Sequence, residues 1–236
     1  MKRRNPVIFG QQVNPWLLGG LGAAVLLLIA SQGETVVEMV KDVYDNKKRT
    51  DYIRKLAKER NIPEAVALAI FKIESGGKGF AKDGKMMIRF EPHIFKYHTD
   101  PRPVKQRTKP YQGKEVAAVH AGQKSEWDNF ARASAIDPQA AMMSISMGGA
   151  QIMGFNHKLV GFPTVEAMFN AYSTSEEAQI RGFFDFVKNT GLEKAAKSGD
   201  FLTFARGYNG KGQKGYDVKM KKLYDELVKQ GYAGIA

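Results

Sequence analysis

The sequence reads as an α+β protein, mainly helical with a small β element, on three grounds. Apolar residues recur at helical spacing through most of the chain beyond residue 50, strict alternation is confined to the run 86–91, and Gly or Pro signals separate the periodic segments. With 236 residues, 43% hydrophobic and 25% charged, the chain has an ordinary globular balance and room for one sizeable domain or two small ones. It has no Cys, which excludes disulfide scaffolds, thiolate metal sites and thiol nucleophiles and leaves the compartment open.

Lys2, Arg3 and Arg4 open the chain, and Asn5 to Gly33 is uncharged, with its apolar centre from Trp16 to Ala30. That centre is shorter than the roughly 20 residues of a comfortable bilayer span, and Gly19, Gly20 and Gly22 dilute it further. A basic start followed by a short apolar run also describes a signal peptide. Leu28, however, stands where a small residue should precede a cleavage site at Ala30. The expectation is an N-terminal apolar helix acting as an uncleaved signal-anchor over 1–33, its basic end in the cytoplasm and the rest outside. A buried core helix is the bland alternative.

Residues 34–49 read as a polar helical connector, and 50–236 as the main domain. Thr50 or Asp51 can cap a helix to about Arg60, and Pro63 suits the first turn of the next. That second helix, Glu64 to Glu74, is apolar nearly all round and should be buried, and Ser75-Gly76-Gly77 stops it. Asp83-Gly84 marks a turn, after which Met86, Ile88 and Phe90 alternate with Met87, Arg89 and Glu91 until Pro92 closes the strand. Residues 99–114 read as an exposed loop. Helical patterns follow near 124–135 and 137–143, a Gly-rich turn at 146–149, and further helices near 164–171, 174–190, 192–197, 199–207 and 215–230. There are no repeats.

The net charge is +12, and removing 1–33 takes away three positive charges and no acids, which leaves +9. A basic surface suits an anionic partner. The basic residues are scattered apart from Lys47-Lys48-Arg49 and the Lys219 to Lys222 region, so nucleic-acid binding is not expected.

Glu74 is the physical anomaly, a carboxylate at the end of a nearly all-apolar helix. Desolvation and the negative end of the helix dipole both favour its protonated form, as a general acid requires. The plain alternative is a side chain that reaches solvent beside the glycines. Glu91, on the polar face of the strand with Arg89, is the second carboxylate. Paired acids of this kind suit glycoside hydrolysis, while a simple ion pair with Arg89 is the competing reading. Two further segments bring neutral polar groups. Ser144 to Met153 puts a flexible turn before a helix carrying Gln151, and Ala205 to Gly210 puts Tyr208 and Asn209 at a helix end. Amides and phenols hydrogen-bond sugars without adding charge.

Together, Glu74-Ser75, the Gly148 to Met153 run and Tyr208-Asn209 resemble the lysozyme-like superfamily, especially its soluble transglycosylase and goose-type branch. More closely, Ala69 to Gly77, Arg89 to Phe95, Gln151 to His157, Ser175-Glu176 with Gln179, and Ala205 to Gly210 resemble an N-acetylmuramidase family found in phage endolysins. The resemblance spans roughly residues 50 to 230. It implies a lysozyme-like fold, cleavage of peptidoglycan and no cofactor. It makes Glu74 the catalytic acid and Glu91 the candidate second carboxylate, with Ser75, His93, Gln151, Met153, Tyr208 and Asn209 as substrate-binding candidates. Ser146-Met147-Gly148-Gly149 departs from a Ser-Trp-Gly-Leu pattern, so an aromatic wall is expected to be missing there. His93 and His157 do not make a metal site, since the chain has four His, no Cys and no His-Glu-x-x-His helix.

The leading expectation is a muramidase acting on the β-1,4 bond between N-acetylmuramic acid and N-acetylglucosamine. It would be tethered to the inner membrane through 16–30, facing the periplasm and later released into it. A lytic transglycosylase on the same bond is the rival within enzymes, and a virion-associated wall-opening or structural protein is the rival outside them.

Overall fold

The computed structural model describes residues 7–8, 11–12, 34–75, 78–107, 110–209 and 215–235. The expected apolar segment Trp16–Ala30 lies outside the described residues. Among those described, no helix is long and apolar enough to cross a membrane.

The chain divides into two compact units, 1–51 and 52–236. In the first, Val7–Ile8 (β1) pairs antiparallel with Gln11–Gln12 (β2). Helix α1 runs without a break over Glu34–Glu59, so no new helix begins at Thr50 or Asp51. No Gly or Pro interrupts those residues, and Asp51 pairs with Lys47 one turn back along the same helix. α1 ends where Asn61 takes a left-handed backbone (φ 53) and the Ile62 N–H returns to the Ala57 carbonyl.

In the second unit, α2 (Glu64–Ser75) is the central helix, as its all-round apolar sequence predicts. Ala65 through Phe71 are all buried. α10 (Tyr216–Lys229) packs along it, and the Ala65 N–H donates to the Ala233 carbonyl to tie the C-terminal segment to its start. The β element is a three-stranded antiparallel sheet, β3 (Ile88–Phe90), β4 (Ile145–Met147) and β5 (Ile152–Met153) in that order. Ile88 faces Met147, Phe90 faces Ile145, and Met147 faces Ile152. The predicted alternation holds: Met86, Ile88 and Phe90 are buried, Arg89 is exposed, and Met87 and Glu91 are half-buried. The strand closes at Phe90, and Glu91 is the N-cap of α3 (Pro92–His98).

The free edge of β3 is covered by side chains of α4 (Gln123–Ser134). The Gln123 amide accepts from the Ile88 N–H and donates to the Ile88 carbonyl, both at 2.9 Å. One helical turn on, buried Glu126 accepts from the Phe90 N–H at 2.9 Å, and the Trp127 indole donates to the Met86 carbonyl. Residues i, i+3 and i+4 of one helix face thereby do the work of a fourth strand. On the same helix, fully buried Asn129 pairs with both the N–H and the carbonyl of Val119.

The remaining helices are α5 (Pro138–Met143), α6 (Val165–Thr174), α7 (Glu176–Asn189), α8 (Glu193–Ser198) and α9 (Phe201–Asn209). Asp137, Thr164 and Ser175 cap α5, α6 and α7 with side-chain oxygens. The architecture is mainly helical with a small sheet, as expected. Among its described residues the segment 99–114 is largely exposed yet anchored. Asp100 is buried, accepts from the Arg102 guanidinium and backbone and from the Gln112 N–H, and its carboxyl is held far below the usual carboxylate range by those bonds, Arg102 first.

Candidate active site

The backbone places Glu74 and Ser75 as the last two residues of α2; their side chains lie outside what the structure describes, as does that of Asn209 at the end of α9. Beyond α2 the chain returns through Gly79 to the sheet. The Met87 N–H donates to the Gly79 carbonyl at 3.0 Å, and the Met87 carbonyl accepts from the Gly148 N–H at 2.8 Å. The segment after Glu74, the approach to β3 and the turn between β4 and β5 are therefore laddered side by side.

That turn, Gly148 to Gln151, corrects one expectation. Gln151 is not on a helix; it closes a β-hairpin. Gly148 and Gln151 both have positive φ, 68° and 49°. A left-handed glutamine is strained, and its own amide holds it: Oε1 accepts from the Ser146 hydroxyl at 2.7 Å, and Nε2 donates to the Gly148 carbonyl at 2.7 Å. Met153 is half-buried on β5. Met147 is fully buried beside Gly154, so the position where the resembling pattern has Trp is a core position and forms no wall of the cleft.

Tyr208 converges on the same turn. Its hydroxyl donates to the Ala150 carbonyl at 2.8 Å, and its ring packs among Phe183, Phe186 and Phe204. The phenol that the sequence offers to sugar is thus engaged on backbone and braces the turn. Gln179 of α7 enters from beneath, its Oε1 accepting from the Gly149 N–H at 2.8 Å.

Glu91 realises the ion-pair reading. Arg89 Nε donates to its Oε1 at 3.0 Å, and His93 Nδ1 lies 3.7 Å from its Oε2. Its side chain is about one quarter exposed at 26%, and His93 is exposed. The ion pair leaves Glu91 half-buried at the N-terminal end of α3, where the helix dipole favours negative charge.

A model of N-acetylmuramidases matches residues 63–228, which is most of the second unit. The chain belongs to the N-acetylmuramidase family. It is also similar to the crystal structure of the Burkholderia AP3 phage endolysin, with 29% identity, a TM-score of 0.66, and coverage of 77% of this chain and 71% of that one. No curated protein matches significantly.

The muramidase is a glycoside hydrolase acting on peptidoglycan, and its lysozyme-like α+β fold brings Gly79 beyond α2, the Gly148–Gln151 turn and the Tyr208 helix end around one ladder. Among the described residues no three His, Asp or Glu side chains are grouped to hold a metal. His157 is a buried loop residue whose Nδ1 meets the Phe162 carbonyl at 3.0 Å. His98, against Phe155, has its pKa lowered by burial first and by Arg107 second, with Asp137 opposing. A pocket of about 290 Å³ between Tyr52, Phe162 and Arg181 holds none of the predicted site residues.

The residues that sequence reading missed are the braces. Gln179 entered only through the family resemblance, and Glu126 and Asn129 not at all. Their signal was present: Glu126, Asn129 and Ala133 share one helical face beside Phe130, and polar groups on a core-facing stripe need partners.

Proposed function

We propose that this muramidase hydrolyses the β-1,4 bond between N-acetylmuramic acid and N-acetylglucosamine and serves a phage as its lysis enzyme. The observation that carries the proposal is the family match over residues 63–228, which contains every proposed site residue. The endolysin likeness supports the phage setting. Glu74 is the general acid. The chain ends an apolar helix on this carboxyl, the setting in which desolvation and the negative end of the helix dipole favour the protonated form that a general acid needs. Glu91 acts across the sugar as base or electrostatic support, with Arg89 and His93 beside it. Ser75, His93, Gln151, Met153 and Asn209 line the sugar path, and Tyr208 braces the turn that carries Gln151.

Residues 1–33 serve as a signal-anchor, 34–49 as a connector and 50–236 as the catalytic part. The tribasic start and the uncharged run Asn5 to Gly33 support an inner-membrane tether followed by periplasmic release.

The test is Glu74→Gln on purified peptidoglycan. The amide is nearly isosteric and cannot donate the proton, so activity should fall by about 10²–10⁴-fold with the fold intact. Activity within tenfold of wild type would remove Glu74 from the role. Product analysis separates the rival chemistry: hydrolysis leaves a reducing end, and a transglycosylase leaves an anhydro ring.

A further inference from the structure

We propose that Gln179 is the positioning residue of the cleft, its buried amide fixing the segment that follows Glu74 against the turn that carries Gln151; this rests on the assignment of Glu74 as the acid.

The side chain of Gln179 is 1% exposed. Its Oε1 accepts from the Gly149 N–H at 2.8 Å, and its Nε2 donates to the Tyr172 carbonyl at 2.8 Å and reaches the Gly79 carbonyl at 3.5 Å. One amide thus touches three segments: the return from α2 and the β4–β5 turn, both remote in sequence, and the end of the preceding helix α6. Glu176, one turn earlier on α7, accepts from the Gly79 N–H at 3.2 Å. The two neighbouring backbones are packed hard on this amide. A Cβ at either Gly79 or Gly148 would fall on the Gln179 side chain. Met87 joins the same two segments from the far side, so Gln179 closes a ring of hydrogen bonds around the base of the cleft.

The chemistry of the position is specific. It needs an acceptor at one end and a donor at the other, at a fixed reach and in a dry setting. A glutamine satisfies both ends without charge. A glutamate satisfies both only when protonated, with its carbonyl accepting from Gly149 and its O–H donating to Tyr172. Ionised, it would face the Tyr172 and Gly79 carbonyls with no donor, and desolvation would keep its pKa high. The acid and the turn that receives the sugar sit on different segments, and misplacement of about 1 Å costs on the order of 10²-fold in rate.

The experiment uses the full chain and compares wild type, Gln179→Met and Gln179→Glu on purified peptidoglycan. Initial rates are taken against wall concentration, wall binding by co-sedimentation, and the folded fraction by near-ultraviolet circular dichroism. For Gln179→Met, the saturated rate per folded molecule should fall on the order of 10²-fold, while the half-saturating wall concentration and wall binding stay within about twofold of wild type. For Gln179→Glu, the ratio to wild type at each pH should approach one in acid and fall steeply as the carboxyl ionises. A saturated rate within twofold of wild type for folded Gln179→Met overturns the proposal. So does a flat ratio for Gln179→Glu, or failure of that variant to fold in acid, where it is the isostere. If Glu74→Gln remains active, the underlying reading fails instead, and the two failures are distinguishable.

Discussion

Replacing Glu126 by leucine tests the idea that a helix side chain stands in for a strand. Glu126 is 5% exposed and is the hydrogen-bond partner of the Phe90 N–H, at 2.9 Å, within a fully buried strand end. Its other oxygen meets His120 Nδ1 at 2.7 Å. Leucine fills nearly the same volume, so cavity formation is a minor term. The Phe90 N–H is left without a partner in a dry site, which costs about 1–3 kcal/mol. His120 is one third exposed at 34% and can turn to water, so its loss costs little. Relief of the buried carboxylate offsets part of the penalty. The net expectation is a loss of about 2 kcal/mol, or about 4–8 °C in Tm for a domain of this size.

The assay is thermal and urea unfolding of the full chain, followed by near-ultraviolet circular dichroism, with Glu126→Gln as the internal comparison. The amide keeps an acceptor for Phe90 and should lose no more than about 1 kcal/mol. The Leu variant should move the urea midpoint without changing the slope. If the Leu and Gln variants unfold together, or the Leu variant matches wild type, the edge of β3 does not depend on the carboxylate and the reasoning is wrong.

Glu91→Gln should lower wall-degrading activity partly to severely, measured as reducing ends released per folded molecule; a melted fold with an unchanged rate in the surviving protein would make Glu91 structural. Asp100→Asn should be destabilising at neutral pH in urea midpoints. Because the folded-state pKa of Asp100 is depressed, its contribution is fully present above its unfolded value near about 3.9 and is lost as pH falls toward the folded one, so the gap between variant and wild type should close in acid. Replacing Gly19, Gly20 and Gly22 by Leu adds about 0.3–0.6 kcal/mol of insertion energy each. That variant should stay in the membrane fraction and lyse late; absence of Trp16–Ala30 from the mature wild-type chain would refute the anchor.

Much of the site's frame was legible because it depends on strong local signals. The apolar run ending at Glu74 before two glycines set α2 and its stop, and the alternation of Met86 to Glu91 set β3 and its buried face. The helix expected near 124–135 is Gln123–Ser134, and that near 137–143 is Pro138–Met143. The hairpin was not legible. β4 and β5 have three and two residues, too few for a period of two to show, and Gly148-Gly149-Ala150 between them reads as the entry to a helix. Thr50 and Asp51 are capping types, so the sequence around them reads as two helices, yet a capping residue inside a helix is overruled when nothing breaks the pattern around it.

The less legible part has one physical source. The small β element is completed by side-chain amides and a carboxylate acting as backbone. Gln123 pairs with both polar groups of Ile88 and Asn129 with both of Val119; Glu126 takes the Phe90 N–H, and Gln179 takes the Gly149 N–H while donating to the Tyr172 carbonyl. An amide carries one donor and one acceptor end, the same pair as a peptide unit, so it can close an edge that lacks a strand. Hydrophobic periodicity alone scores these residues as solvent-facing, and only their place on a core-facing stripe beside apolar residues marks them as groups that need buried partners. The consequence reaches the chemistry. β3 is held by β4 on one side and by α4 side chains on the other, so Glu91, the next residue, starts from a backbone with little freedom. The segment after Glu74 is held in the same way through Gly79. The strand that leads into Glu91 and the Gly79 segment that follows α2 therefore both rest on glutamine and glutamate side chains, and in the proposed mechanism the precision of the site depends on residues that never touch the sugar.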